Sequence, residues 1–387
     1  MIAEAVRKDT ETRLVFVDHL RVALITLVVL HHLSVIYAAN TSFYYLEPAY
    51  HDVVAIVVLV VFQLFNQAYF MGFFFLISGY FTPSSFDRKG AGTFLKDRLL
   101  RLGIPTIAFM FVLGPIASIG IYQMPAELTH ITTPLTWQQY PGLIGIGPMW
   151  FVAMLLVFDF GYAVWRLATR NRSPYPQGDS ALPSYRVIGV FVLALALASY
   201  LIRIPLPLGT YWPQTGVINF PSLAYFPQYL SFFIIGIIAS RRNWFQTIPS
   251  SMGKRGLGVA ITATVVLFPI AISPKLESSG AFLGGGHWQS GVYALWDSTF
   301  SVGLCLGLIV LFHSFLNHQG KLGSLLSRQA FTVYITHAPV IVLLALALRG
   351  IHTEQLLKFG LAAVIGVPLC FAVAYLVRRI PLAARIL

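Results

Sequence analysis

Long apolar segments recur along almost the whole 387-residue chain, and they restrict its fold more than any other feature. A transmembrane helix needs about 20 mostly apolar residues. The sequence predicts ten such spans, at residues 15–38, 53–82, 101–122, 144–165, 187–204, 219–240, 256–273, 290–315, 329–348 and 356–377. The second span is long, so it is predicted to be either one tilted helix or a helix broken around Asn66-Gln67.

The composition agrees with membrane insertion. Hydrophobic residues make up 57% of the chain and charged residues only 10%, whereas soluble domains carry about 25% charged residues. The predicted fold class is therefore an all-α integral membrane protein, a polytopic bundle of about ten transmembrane helices. The net charge of +12 does not indicate nucleic-acid binding, because no Lys/Arg run exceeds two residues and basic loops are typical of membrane proteins. Neither cysteine pairing nor a metal site is indicated.

The positions of the basic residues predict the orientation. If both termini are cytoplasmic and ten spans cross, all but four of the 26 Lys and Arg residues lie in cytoplasmic segments or at the adjacent span ends. The four exceptions are Arg203, Lys275, Arg349 and Lys358. This asymmetry follows the positive-inside rule, and one span more or fewer would destroy it.

The first span carries a polar stripe. An α-helix turns about 100° per residue, so Asp18, Arg21 and His32 share one side while the adjacent His31 points elsewhere. Arg21 and His32 lie about 16 Å apart along the axis. Ionisable groups inside spans usually face a protein interior or a water-filled cavity. The stripe indicates a polar path from the cytoplasm towards mid-membrane, although a hydrogen-bonded packing histidine is an open alternative.

Three further residues have two interpretations each. Trp150 is either interfacial packing or the border of an acceptor cavity, and Asp297 either belongs to a structural ion pair or contacts an acceptor. His337, which precedes Pro339 in the ninth span, is predicted to make a polar contact between helices rather than to act in catalysis.

Several sequence blocks resemble membrane acyltransferase family three. The opening VDHLRVALITLVVLHH (17–32) is similar to a family signature in which an Arg precedes a His by eleven residues, here Arg21 and His32. The blocks GFFFLISGYF (72–81) and FLKDRLLRLGIP (94–105) resemble the next family block, with its Arg-x-x-Arg element at Arg98 and Arg101. Later blocks with weaker similarity follow in order at 147–158, 226–239, 287–300 and 331–340.

The resemblance implies a membrane O-acyltransferase that covers residues 1–387 as a single transmembrane domain, with no appended soluble domain. The donor would be cytoplasmic acyl-CoA, carrying acetyl or succinyl groups, and no metal is implied. The acceptor would be a hydroxyl of an extracytoplasmic or lipid-linked glycan or of another small molecule. The implied localisation is the cell membrane, where membrane lipids are the surrounding partners.

The implied roles suit the chemistry of the matched residues. His32 can act as general base near neutral pH, with Arg21 and Asp18 completing the catalytic set. Arg98 and Arg101, one predicted helical turn apart, are predicted to bind CoA phosphates, although a basic span start alone would explain them. Replacing both with Ala is expected to weaken acyl-CoA binding without affecting folding. Trp150 and Asp297 are the predicted substrate-binding residues.

Two other classes of protein are alternatives to a membrane O-acyltransferase. A transporter or permease would use the polar stripe to conduct protons or a solute, and a membrane scaffold would not need His32 at all. The Arg21/His32 spacing together with Arg98/Arg101 favours the enzyme. The sequence does not reveal the acceptor, the acyl chain, the oligomeric state, or whether transfer is direct or passes through an acyl-histidine.

Overall fold

The computed structural model describes residues 14–47, 52–125, 129, 134–169, 181–212, 220–221, 223–273, 280–318 and 320–387. In this part of the chain, the helices of eight residues or more are α1 Val15–Ala38, α2 Val53–Arg98, α5 Trp150–Ala168, α6 Tyr185–Arg203, α7 Phe226–Arg241, α9 Ser250–Ala271, α10 Trp288–Phe315, α11 Lys321–Leu348 and α12 Gln355–Val377. The shorter helices are α3 Ile104–Ala108, α4 Gly114–Ser118, α8 Trp244–Thr247 and α13 Pro381–Ile386. Predicted spans therefore correspond to helices along the whole chain.

Nine described helical segments are long and apolar enough to cross a membrane, and the second of them, Val53–Gln123, has 71 residues. A straight helix of that length would extend about 106 Å, against a hydrocarbon thickness of about 30 Å. The segment bends at Gly90, whose φ of 72° and ψ of 164° are not helical. It contains both the second and the third predicted spans, so nine segments accommodate ten passes.

The bend at Gly90 brings the two arms of this segment together. Lys89 pairs with Asp97 at 2.5 Å, and the rings of Phe86 and Phe94 meet with centroids 5.4 Å apart. These pairs are eight residues apart, which would be about 12 Å along a straight helix. The helix is continuous through Asn66-Gln67, so the second predicted span, residues 53–82, is a single helix. The bend at Gly90 lies in the predicted connection to the third span, at a glycine, which tolerates positive φ.

Two π-helical turns interrupt the second arm, at Leu99–Gly103 and Phe109–Leu113, on either side of α3. Outside the membrane-spanning helices, the described chain contains short 3₁₀ turns, among them Trp137–Leu143 and Gly147–Met149. Two-residue strands β1 (Tyr211–Trp212) and β2 (Phe220–Pro221) pair in antiparallel fashion. The fold is thus helical, as predicted, with one minimal β-pair in a connection.

Helix α1 lies at the centre of the bundle. It packs against α2, α10, α11 and α12, and none of its residues is exposed. Helices α6, α9 and α12 instead direct many large apolar side chains outwards, including Val190, Val265 and Val364. Since no residue of α1 is exposed, we expect its polar residues to face other parts of the protein or internal space.

Candidate active site

The N-terminal part of the α1 stripe forms a local ion pair. Arg21 Nη1 lies 3.5 Å from Asp18 Oδ1, and the guanidinium carbon of Arg21 stands 4.6 Å above the Phe81 ring. Asp18 and Arg21 are both partly exposed. Arg21 lies about 16 Å from His32 along the helix axis, so its ion pair with Asp18 is separate from the imidazole.

His32 meets a second histidine that approaches from α11. His337 Nε2 lies 3.2 Å from His32 Nδ1, and the two ring centroids are 4.9 Å apart. His337 is fully buried, whereas His32 is partly exposed. The expected polar contact between helices is therefore present at His337, and its partner is the predicted catalytic imidazole.

Two backbone carbonyls determine the tautomers of this pair. His32 Nδ1 lies 3.0 Å from Val28 O, and His337 Nδ1 lies 2.7 Å from Tyr334 O. Carbonyl oxygens only accept hydrogen bonds, so we assign the ring hydrogen to Nδ1 in both neutral histidines. His337 Nε2 then accepts from His32 Nδ1, and the lone pair of His32 is on Nε2. Among the residues that the structure describes, none hydrogen-bonds this Nε2 atom.

His31 occupies a different environment. Its ring lies 5.2 Å from Phe70, and its buried Nδ1 atom has no hydrogen-bond partner among the described residues. The two adjacent histidines thus differ in the way that the stripe predicts: His32 belongs to an ordered polar pair, and His31 packs against an aromatic ring. The role of either residue in catalysis stays a prediction.

Trp150 is connected to the same neighbourhood through α11. The hydroxyl of Tyr334, three residues before His337, donates to the carbonyl of Pro148, two residues before Trp150. The Trp150 ring is largely buried and lies 5.5 Å from the Tyr229 ring. Tyr334 thus links the carbonyl of Pro148 to the helix that carries His337, while a contact of Trp150 with substrate stays a prediction.

Arg98 and Arg101 do not form a matched pair. Arg98 Nε lies 3.1 Å from Oδ2 of the fully buried Asp159, whose Oδ1 accepts from Thr82 Oγ1 at 3.0 Å. Arg101 sits in the π-helical turn Leu99–Gly103 and is exposed. A π-helix has more residues per turn than an α-helix, so the expected one-turn alignment of the two guanidinium groups does not occur. Because Arg98 pairs with a buried carboxylate, we expect its replacement to affect folding as well.

Other basic residues gather at the same end of the bundle. Asp87 pairs with Arg166 at 3.2 Å and with Arg241 at 2.5 Å, and Arg241 also donates to Tyr162 Oη at 3.2 Å. With Arg98 and Arg101, these guanidinium groups outnumber the nearby carboxylates. We call this end, defined by Arg98, Arg101, Arg166 and Arg241, the basic end of the bundle.

Asp297 belongs to a buried ion pair. Its Oδ2 atom lies 2.6 Å from Arg203 Nη2, and neither side chain has appreciable exposure. The Arg203 guanidinium also lies between the rings of Tyr225 and Tyr293, at 4.8 and 5.7 Å from their centroids. This geometry matches the structural ion pair that was one of the two interpretations of Asp297. A contact of Asp297 with acceptor remains a prediction.

The site also contains a residue that the sequence does not single out. The Phe43 ring, from the connection after α1, stacks on His32 with centroids 4.9 Å apart and planes inclined by 24°. The signal in the sequence was weak, because Phe43 follows a polar Asn-Thr-Ser tip and reads as an ordinary interfacial aromatic. Its contact with His32 depends on how the connection folds.

Comparison with known proteins assigns the family. A profile described as "Acyltransferase domain", of acyltransferase family 3, matches residues 14–379. This chain belongs to acyltransferase family 3. The Glucans biosynthesis protein C of Escherichia coli O17:K52:H18 (strain UMN026 / ExPEC) is 24% identical over 377 residues, and that of strain K12 is 25% identical. Each alignment covers 95% of this chain and 92% of the relative.

Membership of acyltransferase family 3 confirms the resemblance seen in the sequence. The match extends through all the quoted blocks, from the α1 stripe to α11. Helices of spanning length and the family together support a multi-pass membrane protein with acyltransferase activity.

Proposed function

We propose that this protein transfers an acyl group, acetyl or succinyl, from cytoplasmic acyl-CoA to a hydroxyl of a glycan at the cell membrane, with His32 as general base. The observation that carries the proposal is the His32–His337 pair. Its hydrogen bonds place the lone pair of a partly exposed imidazole on Nε2, within a helix that the protein encloses.

The reaction needs a base because an alcohol is a weak nucleophile. His32 Nε2 takes the hydroxyl proton while the acceptor oxygen attacks the thioester carbonyl carbon. The carbon–sulfur bond then breaks, and the thiolate of CoA leaves with the proton that His32 returns. The imidazolium formed in between keeps its Nδ1 hydrogen directed to His337 Nε2 and Val28 O, so the ring is oriented throughout. A direct transfer needs no covalent enzyme intermediate.

The basic end of the bundle suits the polar part of CoA. Arginine binds phosphate through paired donors, and Arg101 is exposed there. Arg21, on the cytoplasmic side of the α1 stripe, is a second candidate for donor contact. Arg98 would contribute positive charge at the basic end while its Nε atom stays paired with the Asp159 carboxylate.

A glucan is the acceptor class to test first, because the relatives bear the name Glucans biosynthesis protein C. Trp150, whose ring packs against Tyr229, provides an aromatic surface suited to a sugar ring, and Asp297 is a weaker candidate because its carboxylate already pairs with Arg203. Hydroxyl-bearing small molecules form the comparison panel.

Purified protein with labelled acetyl-CoA or succinyl-CoA and glucan acceptors tests the function. We expect acyl transfer and stoichiometric release of CoA, and a loss of about 10²–10⁴-fold in His32→Ala, the range for removing a general base. His31→Ala is the matched control and should retain most activity. Equal loss in the two variants would contradict the assignment, and solute transport without CoA release would indicate a permease.

A further inference from the structure

The connection after α1 returns into the bundle rather than passing over its surface. Ala39 ends the helix with a φ of 49°, and eight residues later Glu47 N donates to Ile36 O at 2.9 Å. Between them Phe43 stacks on His32, which lies about 9 Å along the helix axis from the C-terminal end of α1. We call residues 39–47 the re-entrant loop.

A buried ion pair holds the far end of the re-entrant loop. Lys358 Nζ lies 2.5 Å from Glu47 Oε1, and both side chains are buried. Tyr45 Oη donates to the other carboxylate oxygen, Glu47 Oε2, at 3.0 Å. Burial and the Glu47 carboxylate raise the pKa of Tyr45, so the phenol keeps the proton that it donates. Because a buried carboxylate is stable only with such partners, Glu47 fixes the loop against α12.

A glycine makes room for the middle of the loop. Gly147 has a φ of +45°, and a Cβ atom at this position would lie 2.1 Å from Tyr44 Oη. Leu46 N also lies 3.0 Å from Met124 Sδ. Only the tip, residues 40–42, is exposed, while Phe43 and Tyr44 are partly buried. The loop is therefore seated by contacts on both sides of Phe43.

We propose that Phe43 is a positioning residue that keeps water from the loop side away from His32, so that the bound thioester is transferred and not hydrolysed. This inference rests on the proposed function. A base that deprotonates an alcohol also deprotonates water. The water oxygen would attack the thioester carbonyl carbon while one water proton passes to His32. The carbon–sulfur bond would then break, and His32 would return the proton to the leaving thiolate, so that a carboxylic acid and CoA thiol are released. An aromatic ring stacked on the imidazole excludes that water.

The first experiment measures CoA release in the absence of acceptor by protein reconstituted with acetyl-CoA. We expect Phe43→Ala to raise this hydrolysis at least about tenfold over wild type, because removal of the ring admits water. Phe43→Leu, which keeps an apolar side chain, should give a smaller rise, and Phe111→Ala, which changes an exposed aromatic residue elsewhere, should give none. Hydrolysis at the wild-type level in an active Phe43→Ala variant would overturn the proposal.

The second experiment does not depend on activity. In a Cys305→Ala/Cys370→Ala background, His32→Cys is labelled with a membrane-impermeant maleimide applied from the loop side, with and without Phe43→Ala. We expect Phe43→Ala to accelerate labelling by about tenfold or more, since the ring covers position 32. Equal labelling rates would show that Phe43 shields nothing and would overturn the inference.

The two experiments separate this inference from the proposed function. If wild type transfers acyl groups but Phe43→Ala changes neither hydrolysis nor labelling, only the shielding role fails. If wild type uses no acyl-CoA at all, the proposed function fails and the shielding role falls with it, whatever the labelling rates. Faster hydrolysis together with faster labelling supports both.

Discussion

Two residues at the centre of the protein divide one task. His32 presents Nε2 to the partly exposed site, and His337, fully buried, accepts from its Nδ1. A neutral histidine in this position is a weaker hydrogen-bond acceptor than a carboxylate, but it orients the ring without placing a charge inside the membrane, where charge is costly. His337 is therefore a positioning residue in the proposed reaction.

Replacing His337 tests this division of roles. We expect His337→Ala to lower kcat about 10²-fold, because a misoriented base loses its alignment, with little change in KM for acyl-CoA. His337→Gln, whose amide oxygen can accept from His32, should recover part of kcat. A purely structural role would lower the thermal stability of both variants and leave kcat per folded molecule unchanged, which would contradict the positioning role.

Residue-level reasoning from sequence succeeded where one helix contains the whole argument. The spacing of Asp18, Arg21 and His32 placed them on one side of α1, and Arg21 pairs with Asp18 as that spacing allows. The same reasoning did not identify Phe43 or assign His337 to His32. Those residues lie in other segments, and nothing in their local sequence encodes which side chain they meet.

At the scale of elements, helix type separates Arg98 from Arg101. The π-helical turn at Leu99–Gly103 leaves Arg101 exposed, whereas Arg98 pairs with buried Asp159 on α5. The sequence suggested a regular α-helix through FLKDRLLRLGIP, and no residue type there marks a π-turn. Arg98 thus links α2 to α5, whereas Arg101 is exposed.

The two arginines are expected to behave differently when replaced. Arg98→Ala leaves the Asp159 carboxylate buried without its ion-pair partner, so we expect a loss of about 3 kcal/mol in the free energy of unfolding. Arg101→Ala should change stability by less than about 0.5 kcal/mol but raise KM for acyl-CoA. Thermal unfolding and donor-dependence measurements check both. Equal destabilisation by the two substitutions would contradict the structural role of Arg98.

At the scale of the whole molecule, the bend at Gly90 and the concentration of basic residues in every second connection between spans agree with the same membrane topology. The basic end gathers arginines from α2, α5 and α7, and the re-entrant loop and Trp137–Leu143 belong to connections predicted on the opposite side. With the orientation that the basic residues predict, spans two and three are expected to be separate passes joined at Gly90 on the basic side.

Cysteine labelling in intact cells checks this topology. Gly92 and Gly142 are exposed, and a Cβ atom at either position meets no atom within 4 Å, so Gly92→Cys and Gly142→Cys should fold normally in a Cys305→Ala/Cys370→Ala background. We expect an impermeant maleimide to label Gly142→Cys in intact cells and Gly92→Cys only after lysis. Labelling of both from the same side would contradict the ten-pass arrangement.

The sequence by itself determined the fold class, the positions of the spans and the polar stripe of α1. Backbone groups in hydrocarbon must be hydrogen-bonded within each segment, so a long apolar run forms a helix whatever its neighbours are. Tertiary structure decided the His32–His337 hydrogen bond, the Arg98–Asp159 ion pair and the stacking of Phe43 on His32. These contacts join residues far apart in the chain, and they depend on side-chain packing and buried charge pairing that only the assembled bundle creates.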